Sequence, residues 1–118
     1  MAATLDLIID KGSTFERVFT WKTKDPTTGV EVPVDLTGYS ARAMMREEFD
    51  SPQPFLSLTL GNGITMDDNA GKITLIVTAA QSAALTQELG RWDLEVFTGD
   101  YVKRLLEGKV KIRPEVTR

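Results

Sequence analysis

The sequence contains no cysteine and no histidine. Without cysteine, the chain cannot form a disulfide scaffold, perform thiol catalysis or hold cysteine-ligated zinc or iron–sulfur centres. Without histidine, it lacks the commonest general base and the commonest transition-metal ligand. Basic residues are also in the minority, since 14 lysines and arginines face 17 aspartates and glutamates, a net charge of −3. That balance is not typical of a nucleic-acid-binding protein.

Export and membrane signals are also lacking. The segment from Met1 to Asp6 has neither a positively charged n-region nor an apolar h-region, so we expect no signal peptide. The longest uncharged run in the middle of the chain, Ile73 to Gln87, is too short to span a bilayer. We therefore expect a soluble protein that is made in a cytoplasm and does not contact a membrane.

Alternating apolar and polar residues are the dominant pattern along the chain. This period of two is typical of β-strands, and turn-forming residues separate the alternating runs. A length of 118 residues suits one domain, residues 1–118. The pattern predicts an all-β fold of about eight short strands, arranged as an antiparallel sandwich or barrel.

One segment has a helix-start pattern instead. Thr78 can cap a helix and Gln81, three residues later, can complete a capping box, so we expect one short helix over residues 79–87 that stops before Gly90. Gly108 interrupts the final strand pattern and predicts a bulge or bend there.

Two features predict strand edges. Arg17 interrupts the inward-facing set that contains Phe15 and Phe19, which indicates an edge or rim position. Pro33 cannot donate to a strand ladder, so its strand is short or at an edge. The polar residues 22–29 before it predict an exposed hairpin loop.

The acidic clusters are better explained by turns than by chemistry. Asp67 and Asp68 precede an asparagine and a glycine, as in calcium loops, but the EF-hand spacing is absent and these are also the usual turn residues. Glu47, Glu48 and Asp50 lie beside prolines in one loop rather than on rigid elements flanking a cleft. We therefore expect no catalytic site, no metal and no cofactor.

Basic residues are concentrated near the carboxyl end of the chain. This concentration predicts either a solvated face or a contact for an acidic partner, and we expect the charged tail to become ordered on a partner. The predicted partner-binding residues are Arg104, Lys109, Lys111, Arg113, Glu115 and Arg118. Trp21 and Trp92 are interpreted as core anchors.

Several short motifs follow one another in an order that resembles a family of small bacteriophage virion proteins. The chain is similar to the N-terminal domain of phage baseplate upper proteins, which anchor receptor-binding proteins. That resemblance implies an immunoglobulin-like β-sandwich that docks to other virion proteins without catalysis. The motifs are Val34–Arg42, Gly71–Leu75, Thr78–Gln81, Gly90–Val96, Arg104–Val110 and Pro114–Thr117.

The first functional hypothesis is therefore a structural component of a phage virion, at the tail, baseplate or fibre-attachment region, in a symmetric assembly. Baseplate anchors usually carry a further downstream region, whereas this sequence ends with the domain. That difference keeps open a second hypothesis, a capsid decoration or head-to-tail connector protein. The third hypothesis is a carbohydrate-binding or hydrolytic module that uses the acidic loops.

Overall fold

A computed structural model describes residues 3–48 and 50–114 of the chain. The described residues form eleven strands, one helix and one 3₁₀ turn, Asp68–Ala70. The helix is α1, Ala79–Ala83, and the strands are β1 Ala3–Thr4, β2 Leu7–Asp10, β3 Phe15–Thr20, β4 Lys22–Lys24, β5 Glu31–Pro33, β6 Ser40–Arg46, β7 Leu56–Leu60, β8 Gly63–Asp67, β9 Lys72–Val77, β10 Leu89–Thr98 and β11 Tyr101–Arg113. The predicted all-β class with one short helix is confirmed, but the described residues form eleven strands rather than about eight.

Nine of these strands form one continuous sheet. Its order is β1-β11-β10-β6-β7-β8-β9-β3, and β2 also pairs with β11. Most neighbours are antiparallel, but β1 and β2 run parallel to β11, and β7 runs parallel to β8. The expectation of a wholly antiparallel fold is therefore wrong.

The parallel pair β7–β8 joins the two halves of the sheet. Parallel neighbours normally need a long crossover, but here a tight loop suffices because the pairing is short, Thr59 with Gly63 and Leu60 with Ile64. Gly61 and Gly63 have φ values of 86° and 97°, which favour glycine. The chain thereby steps from one half of the sheet to the other without breaking the ladder.

The sheet curls so that side chains from both of its ends share one core. The ring of Phe19 on β3 stacks on that of Trp92 on β10, with centroids 5.9 Å apart. Trp92 is buried, which confirms it as a core anchor, and Trp21 is half-buried against the same core. The largest fully buried side chains include Leu7, Ile9, Leu36, Met45, Leu58, Ile64, Ile73, Leu75 and Leu94.

The β10–β11 hairpin contains a bulge, but not at the predicted residue. Leu94 lies opposite Leu106 and Glu95 opposite Arg104, so Leu105 is the additional residue. Gly108 instead allows a close crossing: a Cβ atom built there would lie 2.1 Å from the backbone oxygen of Leu5. The glycine is needed for the approach of the amino-terminal segment.

Helix α1 begins where the sequence predicts and ends earlier. The Thr78 hydroxyl accepts from the Gln81 backbone N–H at 3.1 Å, and the Gln81 side chain accepts from the Thr78 N–H at 2.9 Å. The helix ends at Ala83 because the following chain joins the sheet: Ile112 N–H donates to the Glu88 carbonyl at 2.8 Å. Gly90 lies inside β10 and is not a helix stop.

A separate hairpin, β4–β5, confirms that residues 22–29 are exposed and that the strand of Pro33 is short, but Lys22–Lys24 is a strand rather than part of the predicted loop. All residues of both strands are exposed, and within the described part of the chain the two strands pair only with each other. Asp25 stabilises the turn because its Oδ1 accepts from the Thr27 N–H at 2.8 Å.

Candidate docking surface on the outer sheet face

The predicted binding residues on β11 share one outward face of the sheet. Arg104, Lys109, Lys111 and Arg113 are all exposed there. The outward side chains of β6 and β10 continue this face, because their inward neighbours form the core. Glu115 and Arg118 lie outside the described residues.

Arg104 is held by three carboxylates. Its Nε lies 3.5 Å from Asp93 Oδ2 and 3.9 Å from Glu95 Oε2, and its Nη1 lies 3.7 Å from Glu107 Oε2. Glu95 also accepts from Arg42 Nε at 2.9 Å. The strand register places Arg104 opposite Glu95 and Lys103 opposite Val96.

Arg113 is also engaged within the chain. Its Nη2 donates to Asp10 Oδ2 at 3.0 Å, and its Nε donates to Oδ1 of the same carboxylate. This two-pronged contact lowers the pKa of Asp10 and raises that of Arg113. It ties β2 to the end of β11, so Arg113 has a structural role in the free chain.

The two lysines between these arginines are different. Among the residues that the structure describes, neither Lys109 nor Lys111 has a carboxylate partner for its ammonium group. Lys109 contacts Asp6 only through its backbone N–H, at 3.0 Å. These ammonium groups remain available to an anionic partner.

Lys109 is part of a line of three cations across the sheet, which we call the basic row: Arg46 on β6, Arg91 on β10 and Lys109 on β11. The strand registers place Arg91 directly opposite both of the others. Arg46 Nη1 donates to the Ser51 carbonyl at 2.8 Å. The row therefore concentrates positive charge on this part of the outer face.

The sequence did not identify Arg46 and Arg91 as members of this surface. The hairpin turn pairs Thr98 with Tyr101, and that register continued without interruption would place Arg91 opposite Gly108. The bulge at Leu105 shifts the register by one residue and brings Arg91 to Lys109. The basic row could have been predicted from the correct position of the bulge, but the sequence pattern predicted the bulge at Gly108.

Beside the basic row lies an acidic pair. Asp93 on β10 is directly opposite Glu107 on β11. Partial burial raises the pKa of Asp93 above its usual value, the nearby Glu95 and Glu107 carboxylates raise it further, and Arg104 and Arg46 oppose the shift. A shallow depression of about 380 Å³ covers this part of the face and is lined in part by Met44 and Arg46. The face therefore presents the basic row and, beside it, one acidic pair.

The other predicted features lie in turns. Asp67 and Asp68 enter the 3₁₀ turn that ends at Gly71, whose φ is 65°. Within residues 3–48 and 50–114, no group of three or more acidic side chains is placed to hold a metal ion. Over the same residues, no helix is long and apolar enough to cross a membrane.

Comparison with known proteins found a structural likeness but no matching family or curated sequence. No family model matches the sequence, and no curated protein matches it. Among solved structures, the chain is similar to the N-terminal four immunoglobulin domains of Dscam1 isoform 7.44, with 9% identity and a TM-score of 0.45. The match covers 96% of this chain and 23% of that chain.

Proposed function

We propose that the chain is a non-enzymatic structural component of a bacteriophage virion, which docks to other virion proteins at the tail, baseplate or fibre-attachment region. The resemblance of the ordered motifs supports the phage assignment. The observation that carries the docking function is the pair of exposed lysines, Lys109 and Lys111, which lack carboxylate partners within the described residues. An acidic surface on a partner would neutralise them.

We also propose that the fold is a variant of the immunoglobulin-like sandwich. One layer would contain β2-β11-β10-β6-β7 and the other β8-β9-β3, an order that matches the two layers of immunoglobulin domains. The variation is the β7–β8 ladder, which keeps the layers in one sheet.

The experiment that tests the proposed function is quantitative mass spectrometry of purified particles of the phage that encodes the chain. A few to about a dozen copies per particle is expected for a baseplate or neck component, as for other closed rings. Hundreds of copies would instead support the second hypothesis, a capsid decoration protein. Particles that lack the chain would refute both.

A charge reversal tests the docking face itself. The double variant Lys109→Glu, Lys111→Glu is expected to fold and to be lost from particles, because it repels an acidic partner. The matched control is Lys24→Glu, Lys72→Glu, which makes the same charge change at exposed residues elsewhere; because these residues lie opposite Glu31 and Asp67, thermal unfolding first confirms that both variants are folded. Equal incorporation of both variants would show that the outer face is not the docking surface.

A further inference from the structure

The two ends of the nine-stranded sheet face each other across an open seam. The terminal strand β3 lies on one side, and β1 with the adjacent part of β11 lies on the other. Between them is a groove of about 380 Å³. Its lining is residues 18–22 on the β3 side, Ala3, Leu105 and Leu106 on the opposite side, and Ile73.

The groove runs along the edge of β3 rather than over one of its faces. Successive side chains of a strand point to opposite faces, yet every residue from 18 to 22 lines this groove. Within the described residues, β3 pairs only with β9. Every second residue of β3 therefore directs its N–H and C=O groups towards the seam. The free edge ends at Trp21, whose N–H donates to the Gly71 carbonyl and whose carbonyl accepts from Val34, both within 2.9 Å.

Apolar surface surrounds this edge. Val18 is 51% exposed, and Phe19, Leu105 and Leu106 are only partly buried against the core. An added strand would cover these side chains while it paired with the free backbone groups, the mode of recognition known as β-augmentation.

Lys22 is the one charged residue that lines the groove within the described residues, and Arg17 lies beside it, whereas Glu16 points to the face opposite to that of Arg17. Arg17 has the same inward direction as Phe15 and Phe19 but is exposed, and its guanidinium lies 5.7 Å from the centre of the Phe19 ring. Neither Arg17 nor Lys22 has a carboxylate partner within the described part of the chain. An inward-pointing charge at an edge strand disfavours unselective strand pairing, because an added strand would cover the charge. A carboxylate on the added strand, opposite this charge, would compensate it.

A second copy of the chain, paired through β3, supplies no carboxylate to Arg17, although the register centred on Phe19 would place Glu16 opposite Lys22. In a two-fold antiparallel pairing of β3 with itself, residues that lie opposite must share one face. Glu16 and Arg17 point to opposite faces, so no such register brings them together. The register centred on Val18 places Arg17 opposite Phe19.

We propose that the seam binds an extended segment of another protein, which adds a strand to β3 and carries apolar residues together with carboxylates that meet Arg17 and Lys22. This site is separate from the basic row and does not depend on a phage origin. It defines a peptide-binding edge that is selective for acidic segments over basic ones.

The test uses two short, capped, fluorescein-labelled peptides made of valine and threonine. One peptide carries two glutamates, and the other carries lysines at the same positions. Fluorescence anisotropy with the full chain is expected to detect binding of the glutamate peptide, and amide hydrogen exchange is expected to slow at residues 16–20. The double variant Arg17→Glu, Lys22→Glu is expected to weaken that binding about tenfold or more and to favour the lysine peptide instead.

The control variant is Lys109→Glu, Lys111→Glu, which makes a comparable charge change on the outer face and is expected to bind the glutamate peptide within about twofold of the unaltered chain. The proposal is overturned if the unaltered chain binds neither peptide, or if only the control variant loses binding. It is also overturned if sedimentation shows a dimer that Val18→Lys dissociates, since a second copy then occupies the edge. None of these results bears on the number of copies of the chain in phage particles. The proposed virion function and the proposed peptide-binding edge can therefore fail independently.

Discussion

Replacing Gly108 with alanine tests how the amino-terminal segment is held against β11. A Cβ atom at this position would lie 2.1 Å from the Leu5 oxygen, 2.7 Å from the Leu5 carbonyl carbon and 3.0 Å from Asp6 Oδ1. Two of these atoms belong to the backbone and cannot rotate away. The Leu5–Asp6 segment must therefore move outward as a unit.

That movement breaks specific hydrogen bonds. The Leu5 carbonyl accepts from the buried Trp92 indole Nε1–H at 2.8 Å, and the Leu5 N–H donates to the Glu107 carbonyl at 2.8 Å. Overpacking costs about 1–3 kcal/mol, and an unsatisfied buried indole N–H adds about 1–3 kcal/mol. We expect Gly108→Ala to lower the free energy of unfolding by roughly 3 kcal/mol, or the melting temperature by roughly 10–15 °C.

Urea unfolding followed by tryptophan fluorescence measures this change, and hydrogen exchange at the Trp92 indole localises it. Lys109→Ala is the matched control, because it introduces the same side chain one residue along on the exposed face and is expected to change stability by less than about 0.5 kcal/mol. A Gly108→Ala variant with the stability of the control and a protected indole would refute the steric argument.

Three further predictions concern other parts of the fold. Asp93→Asn is expected to stabilise the chain at neutral pH but not below pH 3.8. Because the Asp93 pKa is raised in the folded state, ionised Asp93 destabilises the fold, whereas below the pKa of the unfolded chain the carboxyl is protonated in both states and this destabilisation is absent. Equal urea midpoint differences in acid and at neutral pH would contradict this. Ser82→Ala removes a buried hydroxyl that accepts from the Gly12 N–H at 3.0 Å and donates to the Ser13 carbonyl at 2.8 Å, so we expect a loss of about 1–3 kcal/mol in urea unfolding, and a loss below about 0.5 kcal/mol would be inconsistent with it. Thr78→Ala removes the helix cap and is expected to cost about 1 kcal/mol by the same measurement, with an unchanged midpoint counting against the capping role.

Local patterns in the sequence predicted the local parts of the structure. The capping box at Thr78 and Gln81 depends on residues three apart, and the alternation along β6 or β9 depends on near neighbours. Both can be derived from the sequence because no distant contact decides them.

The features that could not be predicted depend on distant partners. Gly108 has its role only because Leu5 crosses it, and Gly90 lies in a strand because its missing Cβ admits the Phe55 ring and the Arg46 carbonyl. The candidate docking surface was predicted only in part, because it also depends on distant pairing. The sequence pointed to Lys109 and Lys111, whereas Arg46 and Arg91 lie beside Lys109 only because the bulge shifts the register.

The parallel ladder between β2 and β11 has a consequence for how the chain is made. It pairs Leu7 with Val110, residues separated by 103 positions, and Arg113 closes it on Asp10. During synthesis, β2 has no partner among the described strands until residues 110–113 have been translated. We therefore expect slow folding of the kind that long-range strand pairing imposes, with completion only after translation of these residues.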